Sequence, residues 1–343
     1  MNDILAKKTR VEYIDIFRSF GIILMIMGHI KFGVHFDKWI HAFHMPMFFF
    51  ISGWFFRSRD DAGAHIGKKA RSLLLPYTVF ELTQWGILSV VIPEYRTVGT
   101  LVWIFTENTH KIPVESGAQG ISPVPGAMWF LTSIFLCETI YILLDRILGC
   151  NWRLHMVAAA LVVLGMTAPA ILPVRLPWAM DVSFVGIGFY HIARMMKGNR
   201  ISKLLDLKIN QTILCGVIIS ILIMVSPGIN MRTGQYGLFF PFWINAFGAI
   251  VAGWNLSRYI NQTLQHGIVK KTISDWMKGI GENSIVYLCL NQTVILAVTM
   301  ILNITGIERH AARILTLILT MAVLLAFEKI LCRTKLRILT GKP

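Results

Sequence analysis

The chain has 343 residues, of which 55% are hydrophobic and 15% charged, against about 45–50% and 25% in a soluble domain. Repeated apolar segments of about 18–22 residues are each long enough to cross a hydrocarbon core, which excludes a pair of soluble domains. The net charge of +15 invites a nucleic-acid reading, but the basic residues cluster in every second connection, as in a protein oriented by the positive-inside rule. No nucleic-acid partner is expected.

Ten spans are predicted, at about 13–31, 42–56, 72–92, 128–148, 155–172, 179–196, 210–227, 239–259, 284–303 and 311–330. Basic residues divide about three to one between alternate sides, with Lys7, Lys8, Arg10, Lys68, Lys69 and Arg71 on the richer one. Both termini are therefore expected in the cytoplasm, in a cell (inner or plasma) membrane. The fold class is all-α: a polytopic integral membrane protein of about ten transmembrane helices, forming one domain over 1–343. The first segment carries Arg18 and lacks a small-residue cleavage site, so it is expected to stay as a span. The second is short and contains Pro46, so it is tilted, broken or buried among its neighbours. Between Pro93 and Ala127 runs a long connection with its own apolar patch, LVWIF at 101–105, expected to be a lid or poorly ordered. The short basic stretch after Lys329 is expected on an anionic leaflet. The five cysteines, Cys137, Cys150, Cys215, Cys289 and Cys332, are scattered and odd in number, which reads as packing rather than a disulfide framework.

Within the first span, Arg18 and His29 lie eleven positions apart. At about 100° per residue both side chains fall on one helix face, roughly 16 Å apart along the axis. Ionisable groups at membrane depth are costly and mark function. Asp15, three positions before Arg18, can pair with it across one turn. The competing reading is that Arg18 snorkels to one interface and His29 to the other.

The run Gly67-Lys68-Lys69-Ala70-Arg71 precedes LLLPY. Lys68 and Arg71 share a helix face and suit a polyphosphate, with arginine able to grip a phosphate bidentately; they equally suit membrane-side anchors. His41 and His44 stand one turn apart, yet no cysteine or carboxylate recurs at ligand spacing apart from Asp37, so no metal is expected. Asp181 opens a span at the depth expected of His29 and can orient that imidazole; Glu81 and Glu138 are further acids inside spans. There is no P-loop, dinucleotide fingerprint, GxSxG elbow or zinc signature. NQT triplets at Asn210, Asn261 and Asn291 fall at or within spans and are discarded as glycosylation sites.

The Arg18-x10-His29 spacing, FHMPMFFFISGWFF at 43–56 and the basic run before LLLPY resemble the membrane acyltransferase-3 family. So do MWFLTSIFL at 128–136 and GENSIVYLCLNQ at 281–292, in the family's order over the whole chain. LPWAMDVSFVGIGFYHIA at 176–193 looks most like the sugar O-acetylase branch related to fucose acetylases. The resemblance implies an enzyme taking an acetyl group from cytoplasmic acetyl-CoA to a hydroxyl of a glycan or lipid-linked sugar. It implies Arg18 and His29 as the family's arginine and catalytic histidine, with Lys68 and Arg71 matching a basic pair usually written as two arginines. Asn291 stands where many members have a histidine, removing one candidate base. An appended esterase-like domain, present in many relatives, is not expected here.

The expected chemistry follows. A neutral imidazole at His29 removes the hydroxyl proton, or itself carries the acyl group. Arg18, Lys68 and Arg71 hold the CoA phosphates, and the pantetheine arm crosses half of the ~30 Å core to His29. Asp181 supports the imidazole, and Ser52 and the Gly53 backbone are candidate oxyanion donors. The rival readings are a transporter or flippase for a lipid-linked saccharide, and a structural subunit of a polysaccharide assembly complex. Oligomerisation stays open.

Overall fold

The computed structural model describes residues 11–58, 61–91, 127–172, 175–197, 199–264, 268–304 and 306–342, with positions 93, 96, 97, 99 and 102. Apart from Val102, the apolar patch at 101–105 lies outside the described residues, as does most of the connection around it. Among the described residues the architecture is all-helical, and one isolated bridge, Asn230 with Gln235, is the whole of the β structure.

In chain order the α-helices are α1 (Glu12–Ile30), α2 (Val34–His41), α3 (His44–Trp54), α4 (Ala62–Val91), α5 (Trp129–Leu148) and α6 (Trp152–Ile171). They continue as α7 (Met180–Met196), α8 (Ile209–Val225), α9 (Phe239–Thr263), α10 (Ile268–Glu282), α11 (Ser284–Asn303) and α12 (Arg309–Arg333), followed by a 3₁₀ turn at Lys335–Thr340.

Five of these, α1, α6, α9, α11 and α12, are long and apolar enough to cross a membrane. The expected ten spans differ from this count for physical reasons. Helix α3 has 11 residues, about 16 Å of rise, which is half of a ~30 Å core. Helix α5 spans 20 residues but includes Glu138, Asp145 and Arg146, and α7 has 17 residues with Asp181 and Arg194. Helix α8 is also one turn short of a full crossing at 17 residues. It nevertheless exposes Ile213, Ile218, Ile221 and Val225, apolar surface on a scale that water disfavours and hydrocarbon accepts.

Two helices fall outside the expected spans. Helix α2 fills the connection between α1 and α3, and α10 forms in what reads as a basic loop. Helix α10 packs along α1, and Lys278 on it pairs with Glu12 at 2.8 Å. Helix α4 begins ten residues before the expected span, so the Gly67–Arg71 run is helical.

Helix α1 is the hub, touching α2, α3, α9, α10, α11 and α12. Its Ile14, Ile16, Ile22 and Ile26 are fully buried. A second group consists of α3, α5, α6 and α7, with α7 packed on the other three. Local signals end the helices: the Asn151 side chain accepts from the Arg153 N–H at 2.9 Å to start α6. Glu308 accepts from the His310 and Ala311 N–H groups at 3.0 and 3.1 Å to start α12.

Candidate active site

His29 occupies the last turn of α1, one residue before its end. Its Nδ1 lies 2.6 Å from Oδ1 of Asn291, across from it on α11. The Asn291 amide is completely buried. Its Nδ2 donates to the Tyr287 carbonyl at 3.0 Å and the Leu288 carbonyl at 2.6 Å. Those two donations turn Nδ2 toward the carbonyls of its own helix and leave Oδ1, an acceptor, facing the imidazole. Nδ1 must therefore donate, and the neutral ring carries its lone pair on Nε2. Helix α11 thus fixes both the orientation and the tautomer of His29.

Asn291 reads in sequence as the loss of a histidine. In the structure it is the partner of His29, and 262 positions separate the two residues. The run GENSIVYLCLNQ marks the segment, but only packing brings it to α1.

Arg18 sits three turns earlier on α1. Its Nη1 lies 3.4 Å from Oδ1 of Asp15, as the three-residue spacing suggests. Its guanidinium stands 5.4 Å from the centre of the Phe55 ring, just past α3. The Arg18 side chain is 30% exposed and the Asp15 side chain 5%, so the cation still has room to meet a ligand.

Asp181 takes another partner. Its Oδ2 lies 2.6 Å from Arg175 Nη2, and Arg175 Nε donates to the same oxygen at 2.6 Å. Both side chains are buried, at 5% and 1% exposure. Arg175 Nη1 also donates to the Arg232 carbonyl at 2.8 Å. The turn between the two residues passes through Trp178 at φ 58° and Ala179 at φ 49°, left-handed backbone that costs a side-chain-bearing residue about 1–3 kcal/mol. The pair clamps that turn and the 226–238 connection together. Arg175 thus engages one carboxylate oxygen of Asp181, Oδ2, and the residue that the structure brings to His29 Nδ1 is Asn291.

The basic run divides its work. Lys69 reaches Glu138 on α5 at 2.8 Å. Lys68 and Arg71 line a cavity of about 460 Å³ with Gly67 and Ser72 of α4 and with Ile338, Gly341 and Lys342 from the segment after α12. That volume lies in the range of small-ligand sites, about 300–1,000 Å³. The cavity touches neither Arg18 nor His29. Lys342 is a cavity residue that sequence reasoning missed, because its motif partners are 271 and more positions away in the chain and it reads as a membrane-side anchor.

His41 and His44 spend Nδ1 on backbone carbonyls, those of Asp37 at 2.6 Å and Ile40 at 2.8 Å. Among the described residues no group of three or more His, Cys, Asp or Glu is placed to hold a metal ion. Gly53 is a packing contact: a Cβ there would come 2.1 Å from the Tyr190 carbonyl oxygen, so α3 and α7 approach backbone to backbone at a point only glycine allows. The carbonyls of Ser52 and Gly53 accept from the Phe55 and Phe56 N–H groups, ending α3.

Two further polar networks were not legible in sequence. Tyr141 Oη lies 2.7 Å from His191 Nδ1, and His191 Nε2 lies 2.8 Å from His155 Nδ1. Arg194 joins them, 2.6 Å from Asp145 and stacked over Phe56 at 4.7 Å. On α11, Tyr287 Oη donates to Glu328 at 2.5 Å and Asn283 donates to the same carboxylate at 2.6 Å, which ties α11 to α12 four residues from Asn291.

Residues 11–329 match the family profile described as an acyltransferase domain, acyltransferase-3. No curated protein and no solved structure matches the chain. The profile covers both helices of the His29–Asn291 pair and the whole of α4, and on that match the chain, a helical membrane protein, belongs to the acyltransferase-3 family.

Proposed function

We propose that the protein is an O-acetyltransferase of a cell membrane, moving an acetyl group from acetyl-CoA on the cytoplasmic side to a hydroxyl of a glycan or lipid-linked sugar. The observation that carries this reading is the His29–Asn291 pair, which leaves an imidazole with its basic Nε2 free of the Asn291 bond and its ring held by a locked amide.

In the direct mechanism, Nε2 takes the proton of the acceptor hydroxyl as its oxygen attacks the thioester carbonyl. The tetrahedral intermediate collapses, the C–S bond breaks, and the imidazolium returns its proton to the departing CoA thiolate. The Nδ1–H to Asn291 bond shortens in effect as the ring becomes cationic, because a charged donor bonds more strongly than a neutral one. Asn291 thus stabilises the imidazolium without a competing charge in the bilayer. Lys68 and Arg71 bind the donor phosphates, and Arg18 supplies a cation on the path along α1. Support for the donor site is the cavity that the first two line. The sugar O-acetylase assignment is drawn from the segment at 176–193.

Purified protein in detergent, supplied with acetyl-CoA and candidate saccharide acceptors, tests the reading by release of free CoA thiol. The wild type should turn over and His29→Ala should not, with both proteins eluting alike on size exclusion. A transporter has no gradient to act on in detergent and would release no thiol. Normal turnover by His29→Ala would sink the assignment of the base.

A further inference from the structure

The cavity beside α4 has two walls, and they come from opposite ends of the sequence. Lys68, Arg71 and Ser72 stand on α4, and Ile338, Gly341 and Lys342 stand on the segment that follows α12. Among the described residues no acidic side chain lines it. The second wall is folded in place. Thr334 accepts from the Leu336 N–H at 3.3 Å to start the 3₁₀ turn, and within that turn Leu339 and Thr340 are buried. Gly341 then turns through φ +75°, where an added Cβ would lie 2.3 Å from Ile285 and 2.9 Å from the Ser72 carbonyl oxygen. Pro76 has no N–H to close the helical bond onto that carbonyl. The seam is tight enough that only glycine fits, and it fixes where the next residue, Lys342, can reach.

Lys342 Nζ lies 2.8 Å from Glu282 Oε1, with side-chain exposures of 27% and 35%. Such a partly exposed pair is weak because solvent screens it, so a doubly charged phosphate competes with the carboxylate on favourable terms. Glu282 has other interactions besides this one.

We propose that the segment 335–342 is the second wall of the donor site and that Lys342 is its third phosphate-binding cation, selecting a donor that carries a phosphorylated nucleoside diphosphate. The inference rests on the proposed reading of the cavity as the acetyl-CoA site and adds a residue to it. Three cations on two walls match a diphosphate and a separate monophosphate better than a single helix face does, because phosphates at opposite ends of a nucleotide need charges that are not on one line.

The test is calorimetric titration of CoA and of dephospho-CoA into protein held in phosphatidylcholine nanodiscs. Lys342→Ala should weaken CoA about tenfold and dephospho-CoA less, and Lys342→Arg should restore most of the affinity. Glu282→Gln, which releases Lys342 from its carboxylate, should leave CoA binding equal or tighter. If Lys342→Ala and Glu282→Gln weaken CoA alike, the pair is a structural strut and the inference is overturned. If Arg71→Ala weakens CoA while Lys342→Ala does not, the inference falls and the donor site stands. If neither variant changes CoA affinity, the donor-site reading falls with it. Should the protein bind no CoA but retain phosphatidylglycerol through Lys342, the cavity is a lipid headgroup site and the proposal is overturned.

Discussion

His29 and Asn291 meet at 2.6 Å, Nδ1 to Oδ1, and the asparagine presents its oxygen because its Nδ2 is given to α11 carbonyls. A base whose tautomer is set by an uncharged, backbone-anchored partner keeps its reactive nitrogen on one side. Removing either member has a distinguishable consequence.

His29→Ala removes the proton acceptor. Acetyl transfer should fall by about 10²–10⁴-fold, the range of general acid–base catalysis, with the acetyl-CoA KM near that of the wild type. Steady-state kinetics by thiol release checks it, with thermal unfolding as the control for folding.

Asn291→Ala leaves the imidazole present but free to rotate and to change tautomer. The expected loss is in kcat, about 10–100-fold by analogy with removing the partner that orients a ligating histidine, with little change in donor KM. Asn291→Asp keeps an acceptor for Nδ1 but surrenders the two donations to Tyr287 and Leu288. It should fold less stably than the wild type and keep more activity than Asn291→Ala. Equal activity in the wild type and Asn291→Ala would remove the positioning role.

Arg71→Ala and Lys69→Ala separate binding from structure within one basic run. Arg71 lines the cavity, so its loss should raise the acetyl-CoA KM with kcat and unfolding temperature little changed. Lys69 pairs with Glu138, whose side chain is 3% exposed. Its loss leaves a buried carboxylate short of a partner and should cost about 1–3 kcal/mol of stability, with the donor KM near normal. Unfolding midpoints and donor titrations measured on the same preparations decide between them.

Asp181→Asn tests the clamp. The Arg175–Asp181 pair is almost completely buried, and breaking such a pair costs about 3–5 kcal/mol. The variant should unfold at a lower temperature, while the protein that remains folded keeps the pH profile of the wild type. A shifted pH profile with unchanged stability would return Asp181 to the neighbourhood of the base.

Gly341→Ala inserts a methyl group where Ile285 and the Ser72 carbonyl already stand, at a positive φ. It should displace the 335–342 wall and raise the acetyl-CoA KM, and it should leave the acceptor KM unchanged. Kinetics with each substrate varied in turn provides the check.

Much of the architecture was legible because the bilayer imposes length and apolarity residue by residue. The helix Ser284–Asn303 falls on its expected limits, and α5, α7 and α9 begin within a residue of theirs. The pairing of Arg18 with Asp15 was legible too, since it depends only on the turn of one helix. Helix α10 was not: its charges look like a loop until its apolar side is seen packed on α1. Five of the ten expected crossings coincide with helices long and apolar enough to span; the others include α3, whose apolar residues are buried in protein.

The sequence by itself determined which residues are chemically capable: one imidazole and one guanidinium on a first helix, and a basic run before LLLPY. Only the tertiary structure decided which of them act together. Asn291 faces His29, and Lys342 rather than Lys69 joins Lys68 and Arg71 at the cavity. The reason is that helix periodicity orders neighbours within about a turn, whereas these partners lie 262 to 274 positions apart and meet only when packed helices bring them to one place.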